Sequence, residues 1–146
     1  MKSISYKVRE LKAVEGFTLI EMLVVLGIIA LLATLVGPQV IRYLSKAKTD
    51  TAEAQIKNLE AAIELHFLDT GHYPAANPGL ASLLSAPPNL TGWNGPYLRN
   101  REALTDPWGR SYVYVVPGDH GEYDLYSYGL DGEQGGEGEN RDIANW

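Results

Sequence analysis

The chain has 146 residues, room for one domain with a modest core. It contains no cysteine, which excludes a disulfide framework, a CxxC redox pair and a thiolate zinc site. Net charge is −6 and unevenly spread: residues 1–16 hold Lys2, Lys7, Arg9 and Lys12 against Glu10 and Glu15, whereas residues 117–146 hold eight acids and one base, Arg141.

No basic stripe interleaved with aromatics is present, so nucleic acid is not an expected partner. The first element is an apolar run. Phe17 to Gly37 reads FTLIEMLVVLGIIALLATLVG, with one charge, Glu21. As a helix rising 1.5 Å per residue it spans about 31 Å, the thickness of a bilayer core. A buried core helix is the competing reading, but a domain of this size rarely hides so long a run. An ordinary secretory signal would place a small-residue cleavage site after the apolar stretch, and none follows it. Here a short basic leader ends in Glu15-Gly16 and the apolar run starts at once.

The stretch Gly16-Phe17-Thr18-Leu19-Ile20-Glu21 resembles the processing site of type IV pilins and type II secretion pseudopilins. The resemblance implies a leader of residues 1–16, cut after Gly16 by a prepilin peptidase on the cytoplasmic side, and N-methylation of Phe17. A cut before the apolar run leaves that run on the mature protein, as an anchor and later as an assembly surface. Charge flanks favour a cytoplasmic leader only weakly, because Arg42, Lys46 and Lys48 follow the span closely.

Glu21 is the costly residue. A carboxylate in lipid is expensive and can stay protonated or snorkel to the interface. It can also pair with a cation, and the cut would create one at the Phe17 amine. Positions 17 and 21 share a helix face, so a pair within the chain is open. The resemblance implies instead a pair with the amine of a neighbouring copy, which would fix register because misalignment leaves both charges unpaired.

Pro38 is expected to kink or loosen the helix. The apolar pattern then resumes at Ala52, Ile56, Leu59, Ile63 and Phe67, one face of an amphipathic helix over 38–70. Glu53 and Lys57 are spaced to pair on its polar side. His66 falls beside the apolar face and reads as a packed residue, not a ligand. Gly71 is the expected cap, giving one helix over 17–70, about 80 Å long.

The head, 71–146, is rich in Gly, Pro and aromatics. Asn77-Pro78 before Leu80, Leu83 and Leu84 predicts a short helix capped by Asn77, ended by Pro87-Pro88. Asp106-Pro-Trp-Gly109 fits a type I turn. Ser111–Val116 and Glu122–Tyr128 predict an antiparallel hairpin across the turn 117–121. Residues 52–67 would cover it. Tyr112, Tyr114, Tyr123, Tyr126 and Tyr128 read as sheet packing. The fold class is α+β: a long N-terminal helix packed against a small antiparallel sheet.

Asp106-Pro-Trp-Gly109, Asp124-Leu-Tyr-Ser127, Gly129-Leu-Asp-Gly-Glu-Gln-Gly-Gly136 and Asp142-Ile-Ala-Asn-Trp146 resemble the major pseudopilins of type II secretion systems. The acidic, glycine-rich end offers the oxygens that calcium prefers, although a solvated acidic tail has the same composition. Asp131, Gly136 and Asp142 echo EF-hand positions one, six and twelve, but Glu133 and Gly135 depart from that pattern and a strand precedes it. The resemblance implies calcium in this loop, with Asp131 and Asp142 as side-chain ligands, the carbonyls of Tyr128 and Glu133, and groups near Gly136 to Glu139.

No Ser/His/Asp set converges and no phosphate-cradling loop joins strand to helix, so an enzyme is not expected. The resemblance implies a homopolymeric fibre subunit, single-pass in the bacterial inner membrane with its head in the periplasm. Its implied partners are copies of itself, minor pseudopilins, the prepilin peptidase and the inner-membrane assembly platform. The implied role is export of folded proteins through the outer membrane. A type IV pilin for adhesion, motility or DNA uptake is the alternative, and a monomeric membrane-tethered binding module the third.

Overall fold

The computed structural model describes residues 16–146. The expected leader, 1–16, lies outside these residues except for Gly16. The chain divides into two units, one ending at Gln39 and the other running from Val40 to Trp146.

Helix α1 covers Leu19–Thr70. Its assignment is unbroken through Pro38, although proline supplies no N–H to the carbonyl of Thr34 one turn earlier. Gly71 ends it as expected, at φ +76°, with its N–H donating to the Phe67 carbonyl at 2.7 Å. In the first unit α1 buries no side chain. It is long and apolar enough to cross a membrane by length and composition.

In the second unit α1 has one buried face, Thr49, Ala52, Ile56, Leu59, Ala62, Ile63 and His66. These follow the predicted spacing, and Phe67, half-buried, stacks on Tyr73 at 4.6 Å. The Glu53–Lys57 expectation is corrected: Glu53 makes an ion pair with Arg141 near the C-terminus. A tertiary partner with a planar fork wins over a helical neighbour worth only a few tenths of a kcal/mol.

Strands β1 (Val113–Val115), β2 (Asp124–Ser127) and β3 (Ile143–Ala144) form an antiparallel sheet in the order β1-β2-β3. The predicted hairpin is present, with Tyr114 opposite Leu125. The third strand was not anticipated, because a two-residue strand carries no alternation to read. Asn145 fastens it, accepting from the Leu125 N–H at 2.8 Å through its side chain and donating its own N–H to the Leu125 carbonyl at 3.1 Å.

Leu80 and Leu83, Tyr112, Tyr123, Leu125 and Ile143 close the core over the α1 face. Each large apolar side chain so buried stabilises the head by about 1.5–3 kcal/mol. The predicted helix after Asn77 is a 3₁₀ segment, Gly79–Leu83, without a side-chain cap. Gly79 sits at φ +62°, outside the helical region, so Asn77 cannot cap a helix running through it. The 106–109 turn matches expectation: the Gly109 N–H reaches the Asp106 carbonyl at 3.0 Å. The buried Asp106 carboxylate also accepts from the N–H groups of Trp108 and Arg110 and from the Ser127 hydroxyl. That ties the turn to β2.

Candidate functional site

Two places carry the predicted chemistry, one in each unit. At the start of α1, Thr18 and Glu21 form a reciprocal cap. The Glu21 N–H donates to Thr18 Oγ1 at 3.3 Å, while the Glu21 carboxylate accepts from the Thr18 N–H at 2.7 Å and from its hydroxyl at 2.8 Å. This is the capping box, Thr-x-x-Glu, which satisfies two of the free N–H groups of a helix start. Its signal, Thr18-Leu-Ile-Glu21, is plain in the sequence and was missed there. The isolated chain therefore gives the lone carboxylate of the apolar run a home of its own. Phe17, next to this cap, is 79% exposed. The large apolar side chains from Leu19 to Val36 are exposed as well and find no cover within their unit.

At the C-terminal end, the loop between β2 and β3 folds back on itself. The Leu130 N–H donates to the Glu139 carbonyl at 2.8 Å. Gly129, at φ +65°, lets the two sides touch: a Cβ there would meet the Glu139 and Arg141 carbonyl oxygens at 2.5 and 2.7 Å. Gly136 plays the same part against the Asn140 carbonyl, at 2.6 Å. Asp142 Oδ2 accepts from the Gly135 N–H at 2.9 Å. Asp142 Oδ1 is buried with no partner. Asp131 Oδ1 accepts from the Glu133 N–H at 3.1 Å.

The loop thus brings Asp142 against Gly135, beside Gly136, and brings the Glu139 carbonyl against Leu130. The Glu133 side chain is exposed. The Tyr128 hydroxyl meets that of Tyr126 at 3.2 Å. This bond, then burial, pushes Tyr126 up to about 12. Among the described residues no three acidic or histidine side chains cluster. The expected donors are two aspartates, each held here by a backbone N–H of its own loop segment, and backbone carbonyls. Such a set suits a hard cation that takes carbonyl oxygens, such as calcium, and it does not suit zinc, which wants nitrogen or sulfur. A buried, unpartnered carboxylate oxygen is the strongest mark of that fit, since such an atom is costly to leave bare.

Sequence reading also missed a constellation at the chain end. His120 Nδ1 lies 3.1 Å from Asp124 Oδ2, and its ring stacks on Trp146 with centroids 4.0 Å apart. Burial pushes the Asp124 carboxyl up. The N–H of Asp119 and the ring and N–H of His120 more than offset this and hold it below the ordinary value. The i,i+4 spacing of His120 and Asp124 gives no signal outside a helix; only the turn brings them together.

The family model for type II secretion system protein G matches residues 39–146. The model for the prokaryotic N-terminal methylation motif matches residues 11–37. The chain is similar to a type II secretion system core protein G of Pseudomonas aeruginosa, 43% identical over 136 residues, covering 90% of this chain and 94% of that protein. A core protein G of Escherichia coli K12 is 46% identical, covering 90% of each. Among solved structures, the major pseudopilin from the type 2 secretion system of enterohaemorrhagic Escherichia coli aligns with a TM-score of 0.58 and 31% identity. That alignment covers 69% of this chain and 88% of the other.

Proposed function

The chain belongs to the type II secretion system protein G family, and we propose from that premise how its residues serve a major pseudopilin. It is a structural subunit that polymerises into the pseudopilus and so aids export of folded proteins through the outer membrane. The leader is cut after Gly16 by the prepilin peptidase and Phe17 is N-methylated, a reading supported by the methylation-motif match over residues 11–37. The anchored subunit waits in the inner membrane with its head in the periplasm. The assembly platform then stacks it with its copies, and minor pseudopilins join the same fibre.

One observation carries the reading: an apolar helix half without cover in its own unit, headed by a carboxylate. In the free subunit Thr18 holds Glu21. In the fibre the Phe17 amine of a neighbour takes the carboxylate, and the exposed apolar side chains find their cover in other copies. Charge pairing in an apolar surround then sets register, because a slipped copy leaves two charges bare.

Calcium belongs to this proposal. When bound it supplies two positive charges against the acidic tail. Asp131 and Asp142 would hold it, with the carbonyls of Tyr128 and Glu133 and groups of Gly136 and Glu139 as the further oxygens. The loop side chains and Arg141 then keep β3 seated beside β2.

Expression with a prepilin peptidase and an assembly ATPase, followed by electron microscopy, tests the whole. Fibres are expected from the native chain. A processed chain that stays dispersed under these conditions would overturn the reading.

A further inference from the structure

Just past the apolar run, α1 carries charge of one sign. Residues 38–49 hold Arg42, Lys46 and Lys48 and no acid, whereas residues 50–146 hold fifteen acids and five bases. All three of these bases are exposed. Among the described residues none of them enters an ion pair. Lys46 has Asp50 one turn on and still makes none, in keeping with the weaker order of such a pair, base before acid. The large side chains between them are equally uncovered: Ile41, Tyr43 and Leu44 are 67, 74 and 61% exposed. The buried face of α1 begins only at Thr49.

Chain length gives this band a depth. Gly37 closes a run that already matches a bilayer core of about 30 Å. At 1.5 Å per residue Arg42 lies no more than about 8 Å further along, and Lys46 no more than about 14 Å. The headgroup layer beyond the core is about 5–8 Å deep. Arg42 falls at its outer edge, and Lys46 can reach back to it by snorkelling. Tyr43 falls at the same level, where tyrosine is favoured. Arg42 and Lys46, four residues apart, share one helix face.

We propose that residues 41–48 form a collar that binds anionic phospholipid headgroups, with Arg42 and Lys46 facing the phosphate and Tyr43 beside them at the interface. The inference rests on the anchored reading above. A zwitterionic lipid sets an ammonium beside its phosphate and offers three bases no net charge to neutralise; an anionic lipid does. The acid-rich remainder from residue 50 onward is repelled by such a surface, so the attraction past the span falls to the collar.

The test places the full chain in phosphatidylcholine vesicles with a trace of phosphatidylglycerol or phosphatidylcholine, spin-labelled on the acyl chain. The share of immobilised label reports the relative affinity of each lipid. Arg42→Gln, Lys46→Gln and Lys48→Gln together should lower the preference for phosphatidylglycerol about fivefold, the worth of about one base at an anionic surface. The leader's bases are the same in both chains and cancel in that ratio. Lys57→Gln, Arg99→Gln and Arg101→Gln together remove three exposed bases elsewhere and should leave the preference as it is. Salt at about 1 M, where the Debye length is about 3 Å, should close most of the gap between the native chain and the collar variant. Equal preference in those two chains, or an equal loss in both variants, would overturn the proposal. A collar variant that lost self-association with its lipid preference intact would assign the bases to the acidic tail of another copy, and the proposal would fall. A chain that stays out of the vesicles would sink the anchored reading and this inference with it.

Discussion

From Leu19 to Gln39, α1 buries no side chain; from Val40 to Thr70 it buries seven. The backbone of the two halves is the same helix. The second half finds its solvent-free partner within the chain, in the leucines, tyrosines and Ile143 of the head. The first half offers Leu, Ile and Val in every direction and has no such partner in its own unit. A helix that is apolar all round is the mark of a membrane span or of a core supplied by other molecules. The proposed function uses it first as one and then as the other. Function in the second half is therefore read from what is buried, and in the first from what is not.

The sharpest way to break that contrast is to truncate one large side chain in each half. Leu59→Ala, in a site 1% exposed, should cost the head about 2–5 kcal/mol, seen as a large drop in melting temperature. Leu26→Ala should leave head melting unchanged. Equal losses would mean that the first half is packed by its own chain after all. Next in size, Glu21→Ala should insert in the membrane yet form few fibres in electron micrographs. Normal fibres from that variant would leave Glu21 with only its capping role.

Chelation comes third. Removing calcium should lower the melting temperature of the head, by about 4–8 °C for each kcal/mol of linkage lost. Asp142→Asn should melt low with or without the chelator. A chelator that left the native melting point unchanged would reduce the loop to an acidic tail. Acid is the fourth lever. Asp124 sits below the ordinary value of 3.8, so the stability it gives is fully present above that value. It is lost as pH falls through the still lower folded value. Asp124→Asn should weaken the head at neutral pH and flatten its acid limb in melts between about pH 2 and 5. The smallest effect belongs to the ion pair of Arg141 and Glu53. Both are about half exposed, so Arg141→Ala should cost about 0–1 kcal/mol, less at high salt.

The long helix, its Gly71 stop, its buried face and the β1–β2 hairpin were legible because each repeats a local pattern: apolar spacing, a capping glycine, strand formers around a turn. The capping box Thr18-x-x-Glu21 is equally local, although the same carboxylate also reads as a lone charge in an apolar run. The short helix expected after Asn77 failed on one residue, Gly79, whose left-handed backbone no propensity announced.

Local order along the chain determined the long apolar run, the match to the methylation motif and which face of α1 turns inward, because these depend on residues a few positions apart. Tertiary structure alone decided the rest. It chose Arg141 over Lys57 as the partner of Glu53, made a third strand of Ile143–Ala144, and left Asp142 Oδ1 bare beside a glycine-rich loop. Those contacts join residues far apart in the chain, and no spacing rule reaches across the loops that the fold must close to make them.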